Sequence, residues 1–303
     1  MRAWRSASLA AVVDSGVGTL TQVRLPSVRS YSPQDWQHEA MLPDGAAPFS
    51  RLLTVAQAGS TNSDLAAARA ADPALWPHLS ALRAVHQDAG RGRLDRQWVT
   101  PPGRALTFST VLLPSRPREE WASLTTLGGL AVVRAVRALG ADAALKWPND
   151  VVVRGAGEEI LGWGTSRKLA GVLAEVARDV EGADAVILGI GVNVGQQELP
   201  VPWATSLALV GVDISPEALL AAIGQELLPL LESWEAGGAV ALQAGVVAAS
   251  DTLGRVVSVE RLGTQTLHGK AEALDGEGRL LLRLADGSLA VIASGDVHHL
   301  RLR

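Results

Sequence analysis

The sequence has no cysteine in its 303 residues. That absence excludes disulfide bonds and thiolate metal sites, and it is typical of a reducing compartment. The six histidines have no spacing that would make a zinc site. No apolar run approaches the ~20 residues that a membrane-spanning helix needs. We therefore expect a soluble, cytoplasmic protein whose own side chains hold no metal.

The sequence also lacks an excess of positive charge, because its formal net charge is −4 at pH 7. A chain with this balance has no global basic field that would draw it onto nucleic acid. Hydrophobic residues make up 48% of the chain and charged residues 19%. This composition is sufficient for a substantial core and for two or three domains.

Three common nucleotide-binding or catalytic loops are missing from the chain. The stretch "GTQTLHGKA" has five residues between its glycines, so it is not a P-loop. "GIGVNVG" has its third glycine one place late for a dinucleotide fold, and "QQELPVP" follows it where a helix should begin. No G-x-S-x-G motif marks a nucleophilic serine.

Sequence periodicity predicts a chain of mixed helices and strands. A first helix is expected with Thr61 as its N-cap, Asp64 three residues further on, and a stop at Pro73. The run "WASLTTLGGLAVVRAVRALG" has helical spacing and ends at Gly140, and a third helix is expected over 216–247. Strands are predicted in "ALTFSTVLL", "ALKW", "DVVVR", "KLAGVLAEVARD" and "DAVILGIGVNVG".

The character of the sequence changes after Thr252. Short strands follow one another there, separated by the turns "DGEG" and "DGS", and this pattern predicts a small barrel. We place a domain boundary near residue 250. The predicted division is a poorly ordered extension over 1–47, a larger domain over 48–250 and a small C-terminal domain over 251–303.

An unusual basic loop lies between Gly90 and Arg96, where two glycines and three arginines occupy seven positions. Glycines let backbone N–H groups converge on an oxyanion, and arginine adds bidentate donors to phosphate or carboxylate. A solvated basic hairpin is an equally good interpretation of the loop taken alone. Arg-Gly runs also occur in proteins that bind single-stranded nucleic acid, but those runs usually repeat and this one does not.

A second signal is "LKWPND" at residues 145–150. A lysine at a strand end is usually a surface residue, but Trp147 and Pro148 immobilise Lys146 here, so it can point into a cleft. A third signal is the glycine content of "KLAGVLAE" and "GIGVNV". Small residues in apolar strands let a ligand lie against the backbone. Tight packing of the sheet would explain these glycines equally well.

Taken together and in this order, the segments resemble the biotin protein ligases. The resemblance covers roughly residues 50–303 and is most specific in the pair "GRGR" and "KWPND". The segments that match that family's ordered motifs are "STN" at 60–62, "QDAGRGR" at 87–93, "KWPND" at 146–150, "KLAGVLAE" at 168–175, "GIGVNV" at 189–194 and "ATSL" at 204–207.

The resemblance implies an α/β (α+β) fold, with a class-II-synthetase-like mixed sheet and an SH3-like C-terminal β-barrel. It implies a two-step reaction in which biotin and MgATP form biotinyl-5′-AMP. A lysine of a biotin carboxyl carrier domain, such as that of acetyl-CoA carboxylase, then takes the biotinyl group. ATP, Mg²⁺ and biotin are thus the implied small molecules. Joining a carboxylate to a polyanion requires fixed positive charge more than a protein nucleophile.

The resemblance also assigns roles to single residues. Lys146 and Arg93 would be catalytic, with Lys146 at the reacting carboxylate and α-phosphate. The biotin-binding residues would be Ser60, Thr61, Asn62, Gln87, Arg91, Gly92, Arg93 and Lys146. The residues that bind ATP or the adenylate would be Arg91, Arg93, Trp98, Asn149 and Asn193. The basic loop would fold over the anionic adenylate and would be flexible without it.

Two departures from the family pattern stand out. Asp95 replaces a common glycine at the far end of the loop, which removes flexibility and adds negative charge. Residues 1–47 contain no basic recognition helix, so we expect a ligase without specific DNA binding. The homodimer found in many members remains open. The alternatives are a lipoate or octanoate ligase of the same superfold and a non-catalytic biotin-binding repressor.

Overall fold

The computed structural model describes residues 48–93, 96–180, 182–261, 265–293 and 295–299. The predictions for the extension over 1–47 and for Asp95 lie outside these residues. Within them, no helix has the length and apolar composition that crossing a membrane requires.

A seven-stranded mixed sheet forms the centre of the larger domain. Its spatial order is β1-β2-β3-β7-β6-β5-β4. The pair β1–β2 is parallel and every other neighbouring pair is antiparallel. The strands are β1 Arg51–Ala58, β2 Ser80–Gln87, β3 Ala105–Leu112, β4 Ala143–Lys146, β5 Asp150–Val153, β6 Arg167–Arg178 and β7 Asp184–Asn193.

Three helices cover the two faces of this sheet: α1 Thr61–Ala71, α2 Leu124–Ala138 and α3 Pro216–Ala249. Helices α2 and α3 share the main core with one face, while α1 packs in a smaller core on the other. Strand β3 is buried along its whole length, because Phe108 faces the first core and Val111 the second. The α/β fold class expected from the sequence is confirmed.

The helix boundaries follow local backbone chemistry. Helix α1 has Ser60, in an extended conformation, as its N-cap, so the expected cap at Thr61 was one residue late. The helix ends at Ala71, two residues before Pro73. Helix α3 begins after Ser215, whose hydroxyl accepts the Ala218 N–H at 3.1 Å. Gly238 has a φ of +64° inside α3 and interrupts its helical geometry.

The C-terminal strands form a second, antiparallel sheet in the order β11-β10-β9-β8-β12. Its strands are β8 Val256–Glu260, β9 Leu267–Leu274, β10 Leu280–Leu284, β11 Leu289–Ile292 and β12 Asp296–His299. Over the described residues no pairing joins β11 to β12. The five strands that were predicted as a small barrel therefore form an antiparallel sheet that does not close over these residues.

Two residues, one after β4 and one after α3, attach the C-terminal sheet to the larger domain. Trp147 packs in the core of the C-terminal sheet and donates its backbone N–H to Thr252 Oγ1 at 3.0 Å. Asp251 follows α3 and is 1% exposed. Its carboxylate accepts hydrogen bonds from Ser166, Arg154 and Arg255 at 2.9, 3.2 and 2.6 Å. These cross-links fix where the C-terminal sheet lies against β4 and β5.

His299 at the end of β12 makes the fold sensitive to acid. Burial lowers the pKa of His299 to about 4, although the Asp251 carboxylate, 4.0 Å away, opposes that shift. The unfolded chain takes up this proton near pH 6.5, whereas the folded chain does so near pH 4. The free energy of unfolding should therefore fall as the pH drops from 6.5 towards 4 and be unaffected by His299 above that window.

We expect His299→Gln to remove about 2 kcal/mol of the loss in unfolding free energy between pH 7 and pH 5. Urea denaturation of both proteins at several pH values measures this difference. His268→Gln, at an exposed position on β9, controls for the loss of a histidine. A His299→Gln protein with the native dependence on pH would contradict this interpretation.

Candidate active site

A cavity of about 400 Å³ lies where the start of α1, the basic loop, the β4–β5 turn and strand β12 meet. Strand ends and turns supply its side chains, so residues far apart in sequence converge there. Ten residues singled out from the sequence line it: Ser60, Thr61, Asn62, Gln87, Arg91, Gly92, Arg93, Trp98, Lys146 and Asn149.

One end of the cavity is polar and neutral. Gln87, at the end of β2, accepts the Thr61 N–H at 2.7 Å through Oε1. Ser109 Oγ lies 2.7 Å from Thr61 Oγ1 and 2.6 Å from Asn62 Oδ1. The Asn62 amide donates to the Leu173 carbonyl at 3.2 Å and to Glu175 at 2.9 Å. Donors and acceptors therefore stand side by side in a buried place, which suits a ligand group that carries both N–H and C=O.

Glycines on β6 and β7 form one wall of the cavity. A Cβ at Gly189 would lie 2.0 Å from Asn62 Oδ1, and a Cβ at Gly191 would lie 2.6 Å from the Trp98 ring. At Gly171 the Trp98 ring would be 3.4 Å away, which is ordinary contact. Glycine is therefore required at 189 and 191, because the side chains of Asn62 and Trp98 occupy that space.

The basic loop forms a hairpin on either side of residues 94 and 95. The Gly90 carbonyl accepts the Trp98 N–H at 2.8 Å, and Gly92 donates its N–H to the Arg96 carbonyl at 2.6 Å. A Cβ at Gly90 would lie 2.3 Å from the Trp98 carbonyl oxygen, so only glycine fits. Arg91 lies against the start of α1, where it donates to Ser63 at 3.1 Å.

The five cations that line the cavity fall into two groups. Arg91 pairs with Glu175 at 2.7 Å, Lys168 with Asp150 at 2.7 Å, and Arg96 with Asp296 of β12. Arg93 and Lys146 have no ion-pair partner among the described residues. Arg93 donates to Asn149 Oδ1 at 3.5 Å, and Lys146 donates to the Val297 carbonyl.

Burial perturbs the two cations that have no carboxylate partner. Lys146 is 5% exposed at the end of β4. Burial lowers the pKa of its ammonium, and the Asp150 carboxylate opposes the shift. Burial likewise lowers the pKa of Arg93, against the opposing effect of Asp296. An anion in the cavity would therefore stabilise the charged forms of both side chains more than their present neutral acceptors do.

The sequence analysis missed residues at the other end of the cavity. Trp163, between β5 and β6, stacks on Trp203 with ring centroids 6.3 Å apart and an interplanar angle of 14°. The Lys146 Nζ lies 4.3 Å from the centroid of the Trp163 ring. Asp296 and Val297 of β12 also line the cavity. The only local signals were the "GWG" triplet and the tryptophan before "ATSL".

Asn193 differs from the prediction, because it is not among the residues that line the cavity. Its amide donates to the Thr205 carbonyl at 2.9 Å and accepts from Gln196 Nε2 at 3.0 Å. Its carbonyl accepts the Leu207 N–H at 3.2 Å. Asn193 therefore ties the end of β7 to the segment that precedes α3, and we leave it out of the proposed nucleotide site.

The part of the chain that the structure describes contains no group of three His, Cys, Asp or Glu residues that could hold a metal ion. The two carboxylates that line the cavity, Asp150 and Asp296, are each engaged with a cation. These residues fit a divalent cation that is held mainly by the phosphates and water of a bound nucleotide rather than by a protein cage.

Comparison with known proteins identifies the class of this chain as a protein ligase. The chain belongs to the Biotin/lipoate A/B protein ligase family, whose model matches residues 72–193. The model of the Biotin protein ligase C terminal domain matches residues 252–300, so the likeness extends to the C-terminal sheet and lies with the biotin branch.

Known proteins of this branch resemble most of the chain. The Biotin--[acetyl-CoA-carboxylase] ligase of Mycobacterium tuberculosis is 39% identical over 83% of this chain and 90% of its own length. The Bifunctional ligase/repressor BirA of Bacillus spizizenii is 30% identical over 73% of this chain and 66% of its own length. The Aquifex aeolicus biotin protein ligase, solved in complex with biotin and ATP, is 27% identical with a TM-score of 0.67, covering 84% of this chain and 100% of that chain.

Alanine substitutions at Gly191 and Gly171 test whether the Trp98 ring lies against the glycine wall. Gly191→Ala places a methyl group 2.6 Å from the Trp98 ring, whereas Gly171→Ala places one at 3.4 Å from the same ring. We expect Gly191→Ala to lower the free energy of unfolding by about 1–2 kcal/mol through overpacking. Gly171→Ala should change it by less than about 0.5 kcal/mol. Urea denaturation measures both, and equal effects would show that Trp98 does not occupy this wall.

Proposed function

We propose that this protein activates biotin with ATP to form biotinyl-5′-AMP and transfers the biotinyl group to a lysine of a biotin carboxyl carrier domain. The observation that carries the proposal is a pair of cations, the buried Lys146 and the half-buried Arg93, which are bonded only to neutral acceptors within the described cavity. An adenylation site requires such charge, since a carboxylate must approach a polyphosphate.

The two ends of the cavity suit the two substrates. The ureido ring of biotin, which carries N–H and C=O groups, fits the polar end at Thr61, Asn62 and Gln87. Its valeryl chain would run past the Trp98 ring, which covers the glycine wall, and bring the carboxylate to Lys146. Trp203, which is 37% exposed, offers a flat apolar surface for the adenine at the other end.

The reaction then needs no nucleophile from the protein. A biotin carboxylate oxygen attacks the α-phosphorus of ATP, and the bond to pyrophosphate breaks with its electron pair. Lys146 stabilises the charge that shifts between these oxygens, and Arg93 holds the mixed anhydride. A carrier lysine amine attacks the acyl carbon, AMP leaves through its phosphate oxygen, and the amine proton passes to solvent. Enclosure of the adenylate limits its hydrolysis by water.

Mg²⁺ belongs to this proposal as part of the nucleotide. It would neutralise phosphate charge, with the phosphates and water supplying most of its ligands. Asp150 is the carboxylate of the cavity nearest in sequence to the proposed catalytic lysine, but it is paired with Lys168. The chain's own contribution is therefore positioning and fixed positive charge.

The chemistry of the polar end favours biotin over lipoate. The dithiolane of lipoate has no N–H or C=O group, so it could not use the hydrogen-bonding capacity that Thr61, Asn62 and Gln87 keep beyond their partners within the protein. A competition assay with the two acids separates these candidates. A non-catalytic biotin-binding repressor would instead bind biotin without releasing pyrophosphate.

Several aspects of the setting are also proposed. The acceptor would be the carrier domain of acetyl-CoA carboxylase or of a related carboxylase, and the protein would act in the cytoplasm. Its net charge of −4 argues against tight, sequence-specific DNA binding. A homodimer is a further prediction, which sedimentation of the protein with and without biotin and ATP would test.

The direct test of the function follows both half-reactions. The protein is incubated with MgATP, biotin and a biotin carboxyl carrier domain. Pyrophosphate release is measured without the carrier, and the mass of the carrier is measured afterwards. We expect biotin-dependent pyrophosphate release and a mass increase equal to one biotinyl group. Pyrophosphate release with lipoate alone, or no release at all, would overturn the proposal.

Lys146→Ala should lower the rate of adenylate formation by a factor of about 100 or more. That factor is the ~3 kcal/mol typical of losing a preorganised charge contact in a transition state. The matched control is Lys270→Ala, at an exposed position on β9 away from the cavity. Thermal unfolding of each variant checks that the fold persists. Adenylate formation at the native rate in Lys146→Ala would remove Lys146 from the mechanism.

Arg93→Ala should separate formation of the adenylate from its retention. Because Arg93 lies on a glycine-containing loop, we expect adenylate formation to stay measurable while free biotinyl-5′-AMP and labelling of bystander lysines rise several-fold. Quantifying free adenylate beside pyrophosphate measures this split. Arg178→Ala, at an exposed position on β6, is the control. If Arg93→Ala neither leaks adenylate nor weakens biotin binding, the loop is not a cover over the adenylate.

A further inference from the structure

The connection between β5 and β6, residues 154–166, is longer than an antiparallel pair requires. Hairpin connections usually take two to five residues. Here the chain makes a tight turn instead, in which Ile160 and Gly164 exchange two backbone hydrogen bonds of 2.8 Å. Gly162 and Gly164 have φ values of +81° and +58°. We name residues 154–166 the β5–β6 loop.

The β5–β6 loop is fastened to the C-terminal sheet. The Gly162 carbonyl accepts the His299 N–H of β12 at 3.1 Å. A Cβ at Gly162 would lie 2.9 Å from the His298 ring, so glycine allows this close approach. At the end of the loop, Ser166 donates to the buried Asp251 carboxylate at 2.9 Å. These contacts fix Trp163, which follows Gly162 directly.

Trp163 and β12 meet at the Lys146 ammonium. The Nζ atom lies 4.3 Å from the Trp163 ring centroid and donates to the Val297 carbonyl. A cation at this distance is attracted by the negative face of an indole ring, and the attraction grows when water is excluded. A backbone hydrogen bond joins the loop to β12 next to Lys146, so the Trp163 ring and the Val297 carbonyl are held together as one binding site for the ammonium.

Several other groups act on the charge of Lys146, and their net effect with burial is a lowered pKa. Burial and Lys168 of β6 disfavour the charged form, whereas Asp150 of β5, Asp296 of β12 and Asp251 after α3 favour it. The charge of Lys146 also lowers the pKa of His299. Because burial disfavours the charged form of Lys146, a cation–π contact that favours this form raises the pKa of the ammonium.

We propose that Trp163 is a positioning residue, which holds the Lys146 ammonium charged and directed at the cavity. The inference rests on the proposed function, since it is through Lys146 that Trp163 acts on adenylate formation. The Trp163 ring contacts the Lys146 ammonium. The β5–β6 loop positions this ring, and the hydrogen bond from β12 to Gly162 fixes the loop against the C-terminal sheet.

The test uses a readout that does not depend on catalysis. The chain has three lysines, Lys146, Lys168 and Lys270. Brief labelling with acetic anhydride between pH 6 and 11, followed by peptide mass spectrometry, gives a titration midpoint for each amine. We expect Trp163→Leu to move the midpoint of Lys146 down by about 0.5–1 pH unit. Trp163→Phe, which keeps an aromatic face, should recover much of that shift, and Lys270 should titrate alike in all proteins.

Kinetics of adenylate formation complete the test. The alkaline limb of the rate should move to lower pH in Trp163→Leu by the same amount as the labelling midpoint. Loss of the charged form should lower the rate at neutral pH by no more than about tenfold, which is the bound set by a shift of one pH unit. Trp203→Leu removes the stacked neighbour but leaves the ring over Lys146, so its alkaline limb should stay at the native pH. Thermal unfolding confirms that each variant is folded.

The outcomes separate the two proposals. If the native protein releases no pyrophosphate with biotin, the proposed function fails, and the labelling result still decides the role of Trp163. If Trp163→Leu leaves both the Lys146 midpoint and the alkaline limb unchanged, the inference is overturned while the function stands. A shift of equal size in Trp163→Phe and Trp163→Leu would also overturn it, because the aromatic face would then not be responsible.

Discussion

The constraint on which the rest of the site depends is the burial of the Lys146 ammonium between two domains. A buried charge without partners is costly, so the surrounding chain must supply them. The Val297 carbonyl and the Trp163 ring do so from segments far apart in the sequence, and Asp150 adds its field from the adjoining strand. The C-terminal sheet is therefore part of the candidate site, and Lys146 has all its partners only when that sheet is in place.

The same constraint accounts for the polar cross-links at the junction. Asp251 begins the C-terminal part and is fully engaged with Arg154, Arg255 and Ser166. Trp147 follows the lysine directly and lies in the core of the C-terminal sheet. A displacement of that sheet would pull on the residue next to Lys146 and withdraw the carbonyl that it bonds to. The geometry around Lys146 therefore depends on how the C-terminal sheet packs against the larger domain.

Local sequence patterns predicted the parts of this architecture that are encoded locally. Glycines and prolines at strand ends identified the basic loop and the β4–β5 turn, and apolar spacing predicted α2 and α3. Strands β1 and β2 were missed because "RLLTVAQA" and "SALRAVHQ" show no clean alternation and form strands through parallel pairing. Trp163 owes its position to a bond between the β5–β6 loop and β12, which no local pattern reports. Asn193 shares the alternation of Gly189 and Gly191, but distant Thr205 and Gln196 engage its amide.

Charge pairing in the cavity determines which cations a bound anion would stabilise, and so how ligand binding would affect the stability of the fold. Arg91, Arg96 and Lys168 are satisfied by carboxylates of the protein, so they gain little from a bound anion. Arg93 and Lys146 carry an electrostatic cost in the empty protein that an acyl-adenylate would relieve. Ligands that bind the folded state stabilise it by a free energy that grows with the logarithm of their concentration over Kd. Because Lys146 is held by β12, that stabilisation acts on the contact between the domains as well as on the loop above the ligand.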